Sequence, residues 1–436
     1  MRLTLWLAAF AATACAQQPM SLSLKRAVDL AVSPDGNARM KLADEYIKQA
    51  QTRSTQAKAA FLPNVDGAVS EQNFTRNLQT MGIQSPTPLL KFPDIVGPLS
   101  VFDVRGTLTQ TVFDFSAIRR WQSAKANHDL AKTERESADN QVAADAARAY
   151  MLALREDAAL TAAKANVELA QALLKLSEQQ KSAGTGTGIE VTRAQVQLAN
   201  EKQRLLVINN DRQRSVLQLL RVIGLPLETK IELSDKLAYQ QTEAVTPAQA
   251  LTTAKELRAD WKVQARRTGV SKLNYEAVKY ERLPSIAGYA DYGTTGLEVG
   301  NTMPTRTFAV TMKLPIFDGG RRDARRSEAL SSLRVEEIKT ADFQKQVELE
   351  IRIALESLDS AEGQAKTAEE GLQLSENELA QARRRYEAGV ATSTEVTDAQ
   401  TRLERARDNK IAALYQHNLA RIELAAAMGA IHRIIQ

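Results

Sequence analysis

The run Gly184-Thr185-Gly186-Thr187-Gly188 alternates glycine with threonine, the composition of a loop that cradles a phosphate on its backbone N–H groups. Such a loop needs a strand before it, a helix behind it and, in nucleoside triphosphate sites, a Gly-Lys-Ser/Thr ending. Residues 138–181 are instead a long alanine- and leucine-rich helical pattern, and no Gly-Lys-Ser/Thr follows. Other residues able to do chemistry are scattered. His128, His417 and His432 lack the spacing of metal ligands and read as polar helix positions. No Ser/His/Asp set or carboxylate pair marks a cleft. The pattern points away from an enzyme, a metal centre or a cofactor site.

A second copy of the glycine segment explains the first. Glu387-Ala388-Gly389-Val390-Ala391-Thr392-Ser393-Thr394-Glu395-Val396-Thr397-Asp398-Ala399-Gln400 aligns with Ser182 to Gln195 without a gap, pairing Gly184 with Gly389 and Glu190 with Glu395. Gly186 and Gly188 have become Ala391 and Ser393. A phosphate cradle could not survive that loss, whereas a helix C-terminus needs only the first glycine, in the left-handed conformation. Thr187-x-x-Glu190 and Thr392-x-x-Glu395 each predict a capping box that opens the next helix. Both segments are therefore expected to be tight turns between helices.

The helices that hold these turns must be long. Among 436 residues only 5% are aromatic and alanine recurs throughout, which suits closely packed helices. Val347, Ile351, Ala354, Leu358, Ala361, Ala365, Ala368, Leu372, Ser375, Leu379, Ala382 and Tyr386 follow alternating steps of four and three, a coiled-coil seam. The first copy carries Ala146, Ala149, Ala153, Leu160, Ala163, Val167, Ala170 and Leu174, broken once at Glu156. A continuous helix from Gly320 to Glu387 would run on the order of 100 Å. Lys+Arg 57 against Asp+Glu 52 leaves a formal +5, spread as mixed charge over solvated helix faces rather than gathered for nucleic acid.

The N-terminus predicts export. Arg2, the apolar run Leu3 to Ala12 and the small-x-small Ala14-Cys15-Ala16 read as a signal peptide over 1–16. Cys15, the only cysteine, leaves with it or becomes a lipid-bearing first residue, and no intrachain disulfide is possible. No other apolar segment nears the ~20 residues a membrane helix needs, so any bilayer crossing falls to strands. Phe308, Val310, Met312 and Leu314 alternate with Thr307, Thr311 and Lys313, as Phe102, Val104 and Leu108 do with Asp103, Arg105 and Thr107. A half-buried sheet and a barrel wall both alternate so. Four strands cannot close a barrel, which needs about eight, so several chains would share one. Each half reads helix, strand, loop, strand, very long helix, turn, helix. That gives a first repeat at 17–224, a linker at 225–246 and a second repeat at 247–436, with Gly224-Leu225-Pro226 closing one copy and Thr246-Pro247 opening the next.

At the paired turns, the strand openings Leu62-Pro63 and Leu283-Pro284, and Phe317-Asp318-Gly319-Gly320-Arg321-Arg322, the sequence resembles the TolC-like outer membrane efflux family. The likeness begins at Ser21 and covers essentially the whole chain. It implies an α+β membrane protein with an internal tandem duplication. Long antiparallel α-helical coiled coils would form a tunnel, and four β-strands per chain would join a shared trimeric twelve-stranded β-barrel. It implies a homotrimer in the outer membrane of a Gram-negative bacterium, in contact with membrane lipid, its helices in the periplasm. Substrates of an inner-membrane pump of the RND, ABC or MFS type would pass through it by way of a periplasmic adaptor protein, in efflux or type I secretion. An adaptor, which also has long helical hairpins but usually one per chain, is the alternative.

The same resemblance assigns a gate. Tyr386, Gly389, Glu395 and Asp398 match its pattern of tyrosine, glycine and two acids. Glu395 and Asp398 would line a constriction, and Tyr386 would join the gate's bonding network. Glu190 is the matching acid of the first copy. Arg193 stands where the second copy has Asp398 and would enter the closed-state salt bridges. Gly184, Thr187, Gly389 and Thr392 would mark the turns on which the adaptor docks. Capping explains Glu190 and Glu395 equally well. It does not explain Asp398, which in a trimer would set three negative charges around the axis and favour cations.

Overall fold

The computed structural model describes residues 20–83, 92–242 and 244–434; the expected signal peptide and Cys15 lie outside them. The chain order is β1 (Met20–Leu22), α1 (Leu24–Val32), α2 (Ala38–Ala59), β2 (Asn64–Asn77), β3 (Ile95–Phe113), α3 (Phe115–Ser182), α4 (Gly188–Ile223), β4 (Ile231–Leu233), α5 (Pro247–Leu257), α6 (Ala259–Lys279), β5 (Ser285–Glu298), β6 (Asn301–Lys313), α7 (Arg321–Glu387), α8 (Ser393–Ala427) and α9 (Ile431–Ile434). Among the described residues no helix is long and apolar enough to cross a membrane. The chain divides into two units: Tyr46–Lys132 with Val263–Ala341 form one, and the remaining described residues form the other.

The helical unit is built on alanine. Its main core gathers Leu22, Val28, Met40, Val142, Ala146, Ala147, Leu219, Leu220, Ile223 and Ile422 around Tyr150, all almost without exposure. Small side chains let the helices approach closely enough to exclude water. Tyr150 Oη lies 2.8 Å from Asp235 Oδ2 and 3.0 Å from Leu22 O, which ties α3 to the residues around the parallel β1–β4 pair. Local sequence sets the helix ends. Gly224 closes α4 at φ 76°, where a Cβ would meet the Gly36 carbonyl. Thr246 and Gln249 cap α5 reciprocally, with Pro247 in its first turn.

On α7 the expected seam is the one that packs: Val347, Ile351, Ala354, Ala361, Ala365, Leu379, Ala382 and Tyr386 are buried. On α3 the stripe departs from expectation. After Ala170 it takes a second step of three to Leu173, which is buried against Leu379 and Ala382, and then reaches Ser177, while Leu174 stays half-buried. Two short steps in succession rotate the packing face by one residue, a shift the even four-three spacing does not foresee.

The strand unit is an antiparallel sheet of order β2-β3-β5-β6, with β2 and β6 at its edges. Its register sorts the two faces. Val65 lies opposite Leu108, Leu108 opposite Ala290, and Ala290 opposite Phe308, so one face is apolar from edge to edge. Phe308 is 77% exposed and Val310 80%. The other face is polar: Arg105 donates to Asp103 (2.7 Å) and across the β3–β5 pair to Asp291 (3.2 Å). Gly293 stands opposite Arg105, and a Cβ there would lie 2.4 Å from Arg105 Cβ. An apolar face this exposed and two edges without a second partner are what one segment of a membrane barrel wall presents.

Long helices leave the sheet through paired Phe-Asp steps. Asp114 accepts from the backbone N–H groups of Ser116 (2.8 Å) and Ala117 (3.1 Å) to open α3. Asp318 accepts from Arg322 N (3.1 Å) to open α7, after Gly319 and Gly320 turn the chain at φ 69° and 82°.

Candidate functional site

The two glycine segments are turns between α3 and α4 and between α7 and α8 that share their terminating bonds, the first adding one from Gly186 N to Gln180 O (3.0 Å). Thr185 N donates to Gln180 O (3.0 Å) and Val390 N to Arg385 O (3.0 Å); Gly184 N reaches Lys181 O (3.1 Å) and Gly389 N reaches Tyr386 O (3.0 Å). Gly184 and Gly389 hold φ values of 74° and 75°. These are helix terminations in which one left-handed residue lets late carbonyls find N–H partners.

The restarts differ. At the first, Thr187 N donates to Glu190 Oε2 at 2.8 Å, so Glu190 caps α4 as expected. The second expected capping box is absent: Thr392 makes no side-chain cap bond. Glu395 instead pairs with Arg385 Nε at 3.0 Å. The position matching Arg385 in the first copy is Gln180, which has no charge to draw Glu190 away from its own helix end.

The two hairpins pack against each other around Leu173, Leu379, Ala382, Tyr386, Val396, Ala399 and Leu403. Arg193 Nη1 donates to Thr394 Oγ1 across the turns (3.3 Å), and Gln180 Nε2 to Tyr386 O (3.4 Å). A narrow space of about 20 Å³ lies between them, lined by Ser177, Glu190, Arg193, Tyr386 and Gln400 among others. Tyr386 is almost wholly buried, and its hydroxyl has no hydrogen-bond partner among the described residues. Its link across the turns is therefore made by the carbonyl, not the phenol. Burial pushes its ionisation up; nearby Ser177 eases this only partly, since its hydroxyl already donates to Leu173 O (3.1 Å), and the Glu190 charge adds to it. Asp398 is exposed and makes no ion pair among the described residues.

Above the turns, a polar group missed in the sequence joins the returning arms. Glu201 on α4 and Glu404 on α8 are both buried, and each leaves one carboxylate oxygen without a donor. Burial and the Glu201 charge push Glu404 up to about 7. Protonation of Glu404 relieves its repulsion with the Glu201 carboxyl. Gln197 Nε2 donates to Glu201 Oε1 (3.0 Å), while Arg204, ion-paired with Asp408, is the cation nearby. The signal lay in Gln400 and Glu404, spaced i, i+4 beside the Val396, Ala399 and Leu403 stripe, where a flank position reads as solvated.

Long helical hairpins joined to a sheet with a bare apolar face define an outer-membrane channel architecture. Residues 35–225 and 247–430 match the family model of outer membrane efflux proteins, and the chain belongs to that family. The pyoverdine export outer membrane protein OpmQ of Pseudomonas aeruginosa is 24% identical over 400 residues, covering 88% of this chain and 79% of that protein. The toluene efflux pump outer membrane protein TtgF of Pseudomonas putida is 25% identical over 346 residues, 76% of this chain and 70% of its own. Among solved structures, the Campylobacter jejuni CmeC outer membrane channel superposes with a TM-score of 0.80 at 16% identity, covering 94% of this chain and 86% of that one. The Vibrio cholerae outer membrane protein VceC gives 0.77 at 19% identity, covering 93% and 96%. The chain is an outer membrane efflux channel protein with its helices in the periplasm.

Proposed function

We propose that the protein is the exit duct of a tripartite efflux or type I secretion system, a homotrimer that conducts passively what an inner-membrane pump delivers through a periplasmic adaptor. The sheet carries this reading. Two free edges and one exposed apolar face are satisfied when three copies close a common barrel. The turns would be the periplasmic tip, where Ile189 (60% exposed) and Val390 (68%) offer apolar contacts to an adaptor. Asp398 would line the constriction, Arg193 would hold the two turns together through Thr394, and Glu190 and Glu395 would keep the turns in shape. The repeats would join across 225–246. Relatives named for pyoverdine export and toluene efflux carry different cargo, which fits selection by the pump rather than by the duct.

Asp398 provides the test. In planar bilayers Asp398→Ala should raise single-channel conductance and weaken block by multivalent cations, because an exposed ring of three carboxylates is removed. Unchanged conductance and block would take Asp398 out of the constriction.

A further inference from the structure

The sheet ends at a band of charge. Four segments meet the foot of the strands: 53–58 before β2, 114–120 after β3, 276–282 before β5 and 313–328 after β6. Together they hold eleven basic and six acidic residues, a surplus as large as the formal +5 of the whole chain. Several of these cations are spent within the band: Arg119 pairs with Glu276 (3.3 Å), Arg322 with Asp318 (3.5 Å), Arg325 with Glu281 (2.7 Å) and Arg282 with Asp323. Lys58, Lys279, Arg321 and Arg326 make no ion pair among the described residues.

The unpaired cations adjoin apolar surface. Leu314 continues the apolar face of β6 and is 55% exposed, and Ile316 and Phe317, 91% and 86% exposed, follow directly before the Arg321–Arg326 segment. At the corresponding place after β3, Phe113 and Phe115 stack edge to face at 4.5 Å, with Tyr280 beside them. Apolar strand, aromatic girdle, then unpaired arginine is the order in which acyl chain, interface and phosphate are met on leaving a bilayer.

We propose that this band is a binding surface for the headgroups of anionic phospholipids in the periplasm-facing leaflet, with Arg321 and Arg326 taking the phosphate. A guanidinium matches two phosphate oxygens at once, and an arginine with no carboxylate of its own has no competing partner to displace. The surface requires the membrane placement of the sheet but not the gate at the turns.

The full-length protein, reconstituted in nanodiscs mixing phosphatidylethanolamine with phosphatidylglycerol, tests this by native mass spectrometry of the lipids it retains. The wild type should enrich phosphatidylglycerol, and Arg321→Gln with Arg326→Gln should cut that enrichment by about fivefold for each arginine. Arg352→Gln, which removes a partner of Glu348 far along α7, should leave it unchanged. Wild-type enrichment should also vanish in about 1 M NaCl, a readout that does not depend on the double variant assembling. A wild type without preference, a preference that survives salt, or a double variant as selective as the wild type each overturns the proposal, and none of them touches the duct reading.

Discussion

The turns at Gly184 and Gly389 share a backbone and differ in electrostatics. Apart from the Gly186 N–Gln180 O bond of the first, their terminating hydrogen bonds and φ angles agree, yet Glu190 closes on its own helix N-terminus while Glu395 reaches back to Arg385. One replacement accounts for the difference: Gln180 in the first copy, Arg385 in the second. A guanidinium at the end of the incoming helix offers a carboxylate a full charge, and a neutral amide leaves it to the two or three N–H groups of the outgoing one. The backbone of a turn is thus set by one glycine, whereas the use of its acid is decided by a residue ten positions away.

The largest effect is expected where the arms leaving the two turns meet. Glu404 is held up to about 7 in the folded protein, above its ordinary 4.5. The stability this contributes is full below about pH 4.5 and is lost as the pH rises through 7, because folding between those values must take up a proton and folding above them must bury a charged Glu404 beside Glu201. Glu404→Gln should therefore stabilise the protein at pH 8 by on the order of 2 kcal/mol and flatten the pH dependence of its melting temperature. A pH profile as steep as that of the wild type would show that Glu404 does not titrate near 7 in the folded protein.

Gly186 distinguishes the turns by packing. A Cβ there would lie 3.0 Å from Gln180 Cβ and Lys181 N, whereas the second turn already carries alanine at the matching position. Gly186→Ala should cost ~1 kcal/mol by overpacking in chemical or thermal unfolding, and Ala391→Gly well under that. Equal costs at the two sites would mean that the turns are packed alike after all.

The acids themselves give the smallest effects. Glu190→Ala removes a cap and should cost ~1 kcal/mol. Glu395→Ala removes an exposed ion pair and should cost less than about 0.5 kcal/mol, less again in high salt. Arg385→Gln should free Glu395 to cap α8, visible as slower amide exchange at Thr392. Loss of protection there would show that the cap is blocked by something other than Arg385.

Much of this was legible in the chain. The α7 seam from Val347 to Tyr386 was readable because a period of three and four marks one helix face wherever that face is buried. So was the alternation that splits the sheet into an apolar and a polar face. The α3 stripe beyond Ala170 was not, since Leu173 and Leu174 are equally apolar and only the neighbouring helix selects between them. The role of Arg385 was not legible for a similar reason: many basic residues dot the helix surfaces, and sequence does not say which lies within reach of Glu395.

The amino-acid sequence by itself determined the long helices, the left-handed glycines that end them, the cap at Thr187 and the strand alternation, because each depends on residues within a turn or two of one another. Only the tertiary structure decided that Glu201 faces Glu404, that Arg193 reaches Thr394 and that Arg105 bridges to Asp291. Those contacts join residues some two hundred positions apart, and their energies come from burial and distance, which no local pattern encodes.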